Sequence, residues 1–261
     1  MTDPAKAAAA VPAATVLLLR DAPGFEVLMV KRHHQIDFAS GALVFPGGKT
    51  HPSDSGDGWA QRTIGWDETA PLERALRIAA IREAYEETGI LLARHADLSH
   101  FGGDERSGAA RDGVVARPES FFELVLELDL KLDLAALAVF ARWITPAMMP
   151  KRFDTWFFVA AAPPDQLAVC DGWETVDAEW IEPLEALRLA AAGERSVIFP
   201  TRMNLRLLAE AANAADAADR ARARKLVTVL PEMIDGPDGR RLVIPADAGY
   251  GEVSVLAADL P

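Results

Sequence analysis

Cysteine is almost absent from this chain of 261 residues, which contains only Cys170. One cysteine cannot form an intramolecular disulfide or a zinc site made of cysteines, so the chain suits a reducing compartment and we expect a cytoplasmic protein. Long apolar runs are also missing: runs such as residues 13–19 and 156–162 each cover about a third of the roughly 20 residues that a membrane span requires. The sequence therefore predicts neither a disulfide scaffold nor a transmembrane helix.

Basic residues are too few to balance the acidic ones. The chain has 27 Lys and Arg against 39 Asp and Glu, a formal net charge of −12 at pH 7. Such a surface repels nucleic-acid backbones and anionic membranes, so we expect neither as a partner. A small molecule that carries phosphate would need a local cationic device, either paired arginines or a metal ion held by carboxylates. Apolar residues make up 50% of the chain, which excludes disorder over most of its length.

The order of predicted elements indicates one α/β domain at residues 13–261, preceded by a flexible tail at 1–12. Residues 53–70 have no clear period and are predicted to form an irregular surface insertion. The alanine-rich segment 209–223 is predicted to be a surface helix or helical linker, and a C-terminal hairpin of 225–230 with 241–244 completes an extension at 209–261. The other predicted strands span 14–19, 25–30, 139–144, 155–160 and 176–181, and the other predicted helices span 118–128, 183–192 and 200–212.

The segment 71–92 is predicted to be a helix that gathers three carboxylates on one side. A proline stands in its first turn and a glycine near its end, with good helix formers between them. At 100° per residue, Glu83, Glu86 and Glu87 share an arc of about 100°. The apolar residues of this helix fall on another side, which we expect to face the core.

Two interpretations of this acidic face are open. It is either a solvated face or a cation site. Against the first, Glu83 and Glu87 form a like-charge pair one turn apart, and Glu86 and Glu87 stand in the last turn, where the helix dipole disfavours carboxylates. Mg²⁺ or Mn²⁺ would offset both penalties, because these hard cations take oxygen ligands. Arg82 lies one turn before Glu86 and can orient its carboxylate.

The turn Pro46-Gly47-Gly48-Lys49 ends the short strand that precedes this helix. Gly48-Lys49-Thr50 imitates the end of a phosphate-binding P-loop, but Leu43 stands where that loop requires a glycine. What remains is a tight turn whose glycines allow the backbone to approach another group closely.

Together the turn and the helix resemble the signature of the Nudix hydrolases. Its second half is Arg-Glu, an apolar residue, any residue, Glu-Glu, any residue, Gly and an apolar residue, and residues 82–90 match it at every fixed position. The first half departs from the family. Asp54 stands where the signature has a glutamate, and the spacer before Arg82 is expanded to the 27 residues 55–81.

Two further likenesses suggest a branch of that family. Arg32 and the run 41–48 resemble the coenzyme A diphosphatases, although Asp37 stands where those enzymes have an arginine. The long spacer and the segments 142–146 and 152–155 are similar to the acyl-CoA diphosphatases of the Nudix 19 type.

The resemblance implies an α/β/α sandwich with a mixed sheet and a metal-dependent hydrolase. Its substrate would be a nucleoside diphosphate linked to another moiety, here CoA or acyl-CoA. The implied metal ligands are Glu83, Glu86 and Glu87, and the implied catalytic residues are Arg82, Glu83 and Glu86. The implied substrate contacts are Arg32, Gly47, Gly48 and Lys49.

Other functions remain open at this point. ADP-ribose or NADH would suit the same chemistry, and a non-catalytic nucleotide sensor would use the same fold with a degraded carboxylate cluster. An interaction module built on the helix 209–223 would show no metal dependence. A homodimer is also left open, because no feature of the sequence decides the oligomeric state.

Overall fold

The computed structural model describes residues 8–32, 41–170 and 175–259, with the backbone alone at Arg32 and Val176. The strands are β1 (Val11–Arg20), β2 (Glu26–Arg32), β3 (Leu43–Val44), β4 (Gly47–Lys49), β5 (Thr63–Ile64), β6 (Ala93–Arg94), β7 (Lys131–Asp133), β8 (Ala138–Ile144), β9 (Phe153–Ala161), β10 (Thr175–Ile181), β11 (Thr228–Val229), β12 (Glu232–Gly236), β13 (Gly239–Val243) and β14 (Ser254–Leu256). The helices are α1 (Pro71–Thr88), α2 (Glu105–Ala116), α3 (Ser120–Glu127), α4 (Pro183–Ala191), α5 (Phe199–Leu208) and α6 (Ala214–Ala223). No helix in these described ranges is both long and apolar enough to cross a membrane.

A mixed sheet of eight strands organises the molecule, and its main path runs β10-β2-β1-β9-β8-β11. Strand β1 pairs in parallel with β9 and antiparallel with β2 and β4, while β3 pairs with β2. Two sheets of three strands lie outside it, β5-β7-β6 and β12-β13-β14. Because β1 is central and contacts three other strands, it fixes the position of the short strand β4.

Alternation along β1 divides the core into two layers. Val16 and Leu18 pack with α1, α2 and α3 on one face of the sheet, and Leu17 and Leu19 pack with α4, α5 and α6 on the other. Successive side chains of a strand point to opposite faces, so a continuous apolar run is what a central strand covered on both sides requires. The α/β/α sandwich predicted from the sequence is confirmed.

Several predicted elements need correction. Strand β1 begins at Val11, inside the segment predicted as a tail. Residues 53–70 are not irregular, because 3₁₀ helices at Pro52–Ser55 and Asp57–Gln61 and the strand β5 occupy much of them. The C-terminal hairpin pairs β12 with β13, whereas β11 joins the main sheet beside β8.

The alanine-rich segment is a helix that forms part of the core. Ala217 and Ala221 of α6 are buried against the sheet, together with α4 and α5. Small side chains allow this helix to lie close to its neighbours, so alanine here serves packing as well as helix propensity. The predicted helix is therefore confirmed at Ala214–Ala223, where the outer side is exposed and the inner side belongs to the core, whereas a linker is the wrong description.

Candidate functional site

Helix α1 delivers the candidate site residues in its last two turns. Gly89 ends the helix in a left-handed conformation, with φ 76°, and its N–H donates to the carbonyl of Tyr85. Glycine adopts this conformation without the penalty that a Cβ brings. The helix therefore stops directly after the glutamates, and its apolar side, with Ile78 and Ile81 fully buried, holds it against the sheet.

Arg82 is the centre of the site, and its side chain is 2% exposed. Its Nε and Nη2 donate to the two carboxylate oxygens of Asp54 at 3.0 and 3.1 Å, which makes the pair bidentate. Its Nη1 donates to Glu83 Oε1 and to Glu86 Oε1, both at 2.9 Å. Bidentate and charge-assisted bonds are strong and directional, so Arg82 fixes the orientation of three carboxylates. The predicted contact between Arg82 and Glu86 is confirmed.

The charge of Arg82 is secured by its neighbours. Burial by itself would lower the pKa of the guanidinium. The hydrogen bonds to Asp54 and the charges of Glu83, Asp54 and Glu86 outweigh burial and hold the pKa above its ordinary value. Arg82 therefore remains a cation. It compensates part of the carboxylate repulsion that the sequence indicates.

The glycine turn meets the acidic face of α1 directly. The N–H of Gly47 donates to Glu87 Oε2 at 3.1 Å. A Cβ at Gly48 would collide with the carboxylate of Glu83, so only glycine permits this approach. The carbonyl of Lys49, next in the strand, accepts a bond of 2.9 Å from Arg82 Nη2. The predicted turn and the predicted carboxylates thus lie together, through backbone contacts of β4.

Not every predicted substrate residue points into this site. Gly48 lies opposite Ala14, which faces the α1 layer, so the side chain of its neighbour Lys49 points to the other face. Its Nζ lies 6.0 Å from the centre of the Phe153 ring. Arg32 ends β2, with its side chain outside the described part of the structure, and Asp37 also lies outside the described residues.

Two residues that the sequence reasoning missed support the end of α1. Arg111 of α2 donates from Nε to the carbonyl of Glu86 at 2.9 Å and from Nη1 to the carbonyl of Val169 at 2.6 Å. The hydroxyl of Thr175 donates to the carbonyl of Glu87 at 3.2 Å. A cation at the C-terminus of a helix offsets the negative end of its dipole. No periodic signal marks α2, so the sequence offered no way to place Arg111.

The donor chemistry of the site fits a hard divalent cation. Glu83, Glu86 and Glu87 offer only carboxylate oxygens, the ligands that Mg²⁺ and Mn²⁺ prefer. Gly48 keeps a Cβ atom out of the space that the carboxylate of Glu83 occupies, and the backbone N–H of Gly47 reaches Glu87. Within the described ranges, no three His, Cys, Asp or Glu side chains already stand in an arrangement that encloses a metal ion. The three glutamates therefore stay predicted ligands.

Comparison with known proteins points in one direction. A sequence model of the NUDT19 Nudix domain matches residues 60–206, more than half of the chain. A human protein named acyl-coenzyme A diphosphatase NUDT19 is 29% identical over 285 aligned positions, which cover 92% of this chain and 76% of the human one. A Xenopus laevis protein of the same name is 28% identical over 205 positions, 62% of this chain and 54% of its own length. The chain thus spans about half of one relative and about three quarters of the other.

A solved structure supports the same fold. The crystal structure of a Nudix hydrolase from Alicyclobacillus acidocaldarius superposes with a TM-score of 0.72 at 27% sequence identity. The match covers 81% of this chain and 96% of that protein.

Proposed function

Because this chain belongs to the NUDT19 Nudix domain family and is a Nudix hydrolase, we propose that it hydrolyses the diphosphate of coenzyme A or of an acyl-CoA. The products would be 4'-phosphopantetheine, or its acyl form, and adenosine 3',5'-bisphosphate. Relatives from human and Xenopus laevis carry the name acyl-coenzyme A diphosphatase, which supports this substrate class.

One observation carries the proposal: a buried arginine holds the carboxylates of Glu83 and Glu86 beside a two-glycine turn. A solvated acidic face would leave its carboxylates mobile, whereas these are oriented by bonds of 2.9 Å to one guanidinium group. Charges that are fixed in a partly buried site stabilise a transition state more strongly than mobile charges in water do. A protein that only binds a partner through its surface would not require carboxylates oriented by a buried arginine.

The residues of the chain divide the work. Glu83, Glu86 and Glu87 would hold divalent metal, and Arg82 keeps the first two in position. Bound Mg²⁺ or Mn²⁺ would supply neutralisation of the diphosphate charge and acidification of the attacking water. The proton of that water goes to a carboxylate, and we assign this role to Glu86, whose Oε1 is oriented by Arg82. Gly47 and Gly48 bring the backbone of β4 against Glu87 and Glu83, and we assign this turn to the diphosphate end of the substrate.

The substrate is tested with a panel of compounds. The purified protein is incubated with Mg²⁺ or Mn²⁺ and CoA, an acyl-CoA, ADP-ribose or NADH, and the products are identified by mass. We expect 4'-phosphopantetheine and adenosine 3',5'-bisphosphate from CoA, and no cleavage when the metal is chelated. Efficient hydrolysis of ADP-ribose with CoA untouched would replace the proposed substrate.

Neutral variants test the assigned residues. Glu86→Gln should lower kcat by at least about a hundredfold, because general acid–base groups contribute about 10²–10⁴. Glu87→Gln should also lower kcat strongly, because it removes one of the proposed metal ligands. A glutamine oxygen still accepts the bond from Arg82 at position 86 and the bond from the N–H of Gly47 at position 87. The melting temperature without metal should therefore stay within about 4 °C, which corresponds to about 1 kcal/mol in a chain of this size.

A matched control removes a carboxylate elsewhere. Glu185→Gln breaks an exposed pair with Arg188 on α4, on the opposite face of the sheet, and should leave kcat unchanged. Full metal-dependent activity in both Glu86→Gln and Glu87→Gln would contradict the assignment.

A further inference from the structure

The two segments that resemble the acyl-CoA branch are neighbours in the sheet. Arg142 of β8 lies directly opposite Trp156 of β9, and Asp154 lies two residues before Trp156 on the same face. Arg142 donates from Nε to Asp154 Oδ1 at 2.8 Å and from Nη2 to Asp154 Oδ2 at 2.6 Å. The guanidinium carbon stands 4.8 Å above the centre of the Trp156 ring. The carboxylate of Asp154 and the ring of Trp156 thus hold the guanidinium group of Arg142 in one orientation.

This cluster shares a face of the sheet with the carboxylates of α1. A row of paired residues crosses the strands from Gly48 through Ala14 and Trp156 to Arg142. Gly48 is in contact with Glu83, and Ala14 and Trp156 both belong to the core layer of α1. Three strand spacings separate Gly48 from Arg142, about 14 Å at about 4.8 Å per strand. The Arg142 side chain extends over Trp156 toward Gly48 and shortens this distance. One extended substrate can therefore reach both the carboxylates of α1 and Arg142.

Arg142 also keeps donors for a ligand. Its side chain is 28% exposed, and Nη1 forms no hydrogen bond to the described residues. The hydrogen bonds to Asp154 raise its pKa against the effect of burial, so the group stays cationic. An arginine whose Nε edge is occupied by a carboxylate and whose outer edge is open can bind a phosphate oxygen in addition.

We propose that Arg142 binds the phosphate monoester on the ribose of coenzyme A, with Asp154 and Trp156 as positioning residues, an inference that rests on the proposed function. The 3'-phosphate distinguishes CoA from ADP-ribose and NADH, and it is attached to the ribose next to the diphosphate. A protein with a net charge of −12 needs a local cation to tolerate this further dianion. Arg142 supplies one at a site where the structure has already fixed its direction.

The experiment compares CoA with dephospho-CoA, which lacks only this phosphate. We expect wild-type protein to prefer CoA in kcat/KM by about tenfold or more, the effect of a charge-assisted hydrogen bond. In Arg142→Gln this ratio should fall close to one, through loss of CoA turnover and little change with dephospho-CoA. Arg142→Lys keeps the positive charge but lacks the planar guanidinium group, so its ratio should lie between those of wild type and Arg142→Gln. Arg188→Gln, another arginine paired with a carboxylate, should leave the ratio as in wild type.

Binding gives a second readout that does not depend on turnover. By calorimetry, wild-type protein should bind adenosine 3',5'-bisphosphate about tenfold more tightly than AMP, and Arg142→Gln should bind both alike. The inference is overturned if Arg142→Gln and Arg142→Lys keep the preference for CoA. It is also overturned if kcat/KM falls equally for both substrates together with the melting temperature, because the Arg142–Asp154 pair is then only structural. If wild-type protein cleaves neither compound, the proposed function fails, whereas cleavage of both without preference overturns this inference alone.

Discussion

At position 54 the chain has a carboxylate one methylene shorter than the one in the Nudix signature, yet this carboxylate forms the bidentate pair with Arg82. A 3₁₀ turn at Pro52–Ser55 brings it there, because the N–H of His51 donates to Asp54 Oδ2 at 2.7 Å. Asp54 is 1% exposed, and Arg82 and this backbone donor supply the hydrogen bonds that its buried carboxylate requires. Asp54 thus affects the carboxylates of α1 indirectly, because it positions Arg82, which binds Glu83 and Glu86.

Replacing Asp54 tests this indirect role. Asp54→Asn should cost about 1–3 kcal/mol in the free energy of unfolding, because an amide donor would face the buried guanidinium. It should also lower kcat, because Arg82 is then no longer anchored and no longer holds Glu83 and Glu86 in fixed orientations. Urea unfolding and initial rates measure the two effects, and Asp129→Asn, which removes an exposed partner of Arg62, is the control. Normal kcat in a well-folded Asp54→Asn would show that Arg82 orients the glutamates without this anchor.

The sequence predicted the carboxylates of the site better than their partners. Helical periodicity is local, so Glu83, Glu86 and Glu87 could be placed on one side of α1 from spacing alone. The partner of Arg82 was not predictable, because Asp54 lies 28 residues away along the chain and its approach depends on tertiary packing. The direction of Lys49 was missed for a similar reason: it follows from the register between β4 and β1.

Helices α1 and α2 show what local patterns can and cannot predict. The predicted helix 71–92 has its start right, but it ends at Thr88 because Gly89 takes a positive φ. Residues 90–92 continue as buried chain without helical structure, so their apolar character reflects the core and not the helix. Helix α2 was missed because it contains two glycines and few apolar residues, and its beginning is fixed by a capping box at Asp104.

The segment before α1 is predicted to be essential for folding, in contrast to a tolerant surface loop. Trp59 is 2% exposed, packs edge-on against Phe122 and donates from Nε1 to the carbonyl of Ser53 at 2.8 Å. Trp59→Ala should therefore cost about 3–5 kcal/mol. Trp66→Ala is the matched control, because Trp66 is only partly buried beneath Arg74 and should lose clearly less. Denaturant unfolding compares them, and equal losses would contradict the assignment of Trp59 to the core.

Across the whole molecule, the sheet separates the site from the C-terminal extension. Helix α1 and its carboxylates lie on one face, while α6 and residues of β13 and β14 pack on the other. The sequence predicted that strands and helices alternate, which is sufficient for the sandwich. It misplaced the C-terminal hairpin, because β11 and β12 are short and periodicity does not distinguish which strand each one pairs with.

Tyr250 ties the extension to the body of the protein. Its hydroxyl donates to Asn204 Oδ1 at 2.8 Å and accepts a bond of 3.0 Å from Trp143 Nε1. Asn204 and Trp143 are both buried, so Tyr250→Phe leaves their polar atoms without this partner and should cost about 1–3 kcal/mol. Turnover at pH 7 should be unchanged, because the network lies on the face opposite α1. A large loss of kcat at unchanged stability would show that the two faces are coupled.

The same tyrosine makes stability depend on alkaline pH. Burial raises the pKa of Tyr250 to about 12, against about 10 for an unfolded tyrosine. The unfolded chain releases this proton first, so the stability that Tyr250 contributes is complete below about pH 10 and is lost as the pH rises through about 12. Tyr250→Phe cannot titrate, and its free energy of unfolding should therefore fall less steeply than that of wild type over this interval. The buried Tyr85, whose pKa burial also raises, is present in both proteins, so urea unfolding of the pair from pH 8 to pH 12 isolates Tyr250. Parallel curves would mean that the hydroxyl ionises as readily in the folded protein as in the unfolded chain.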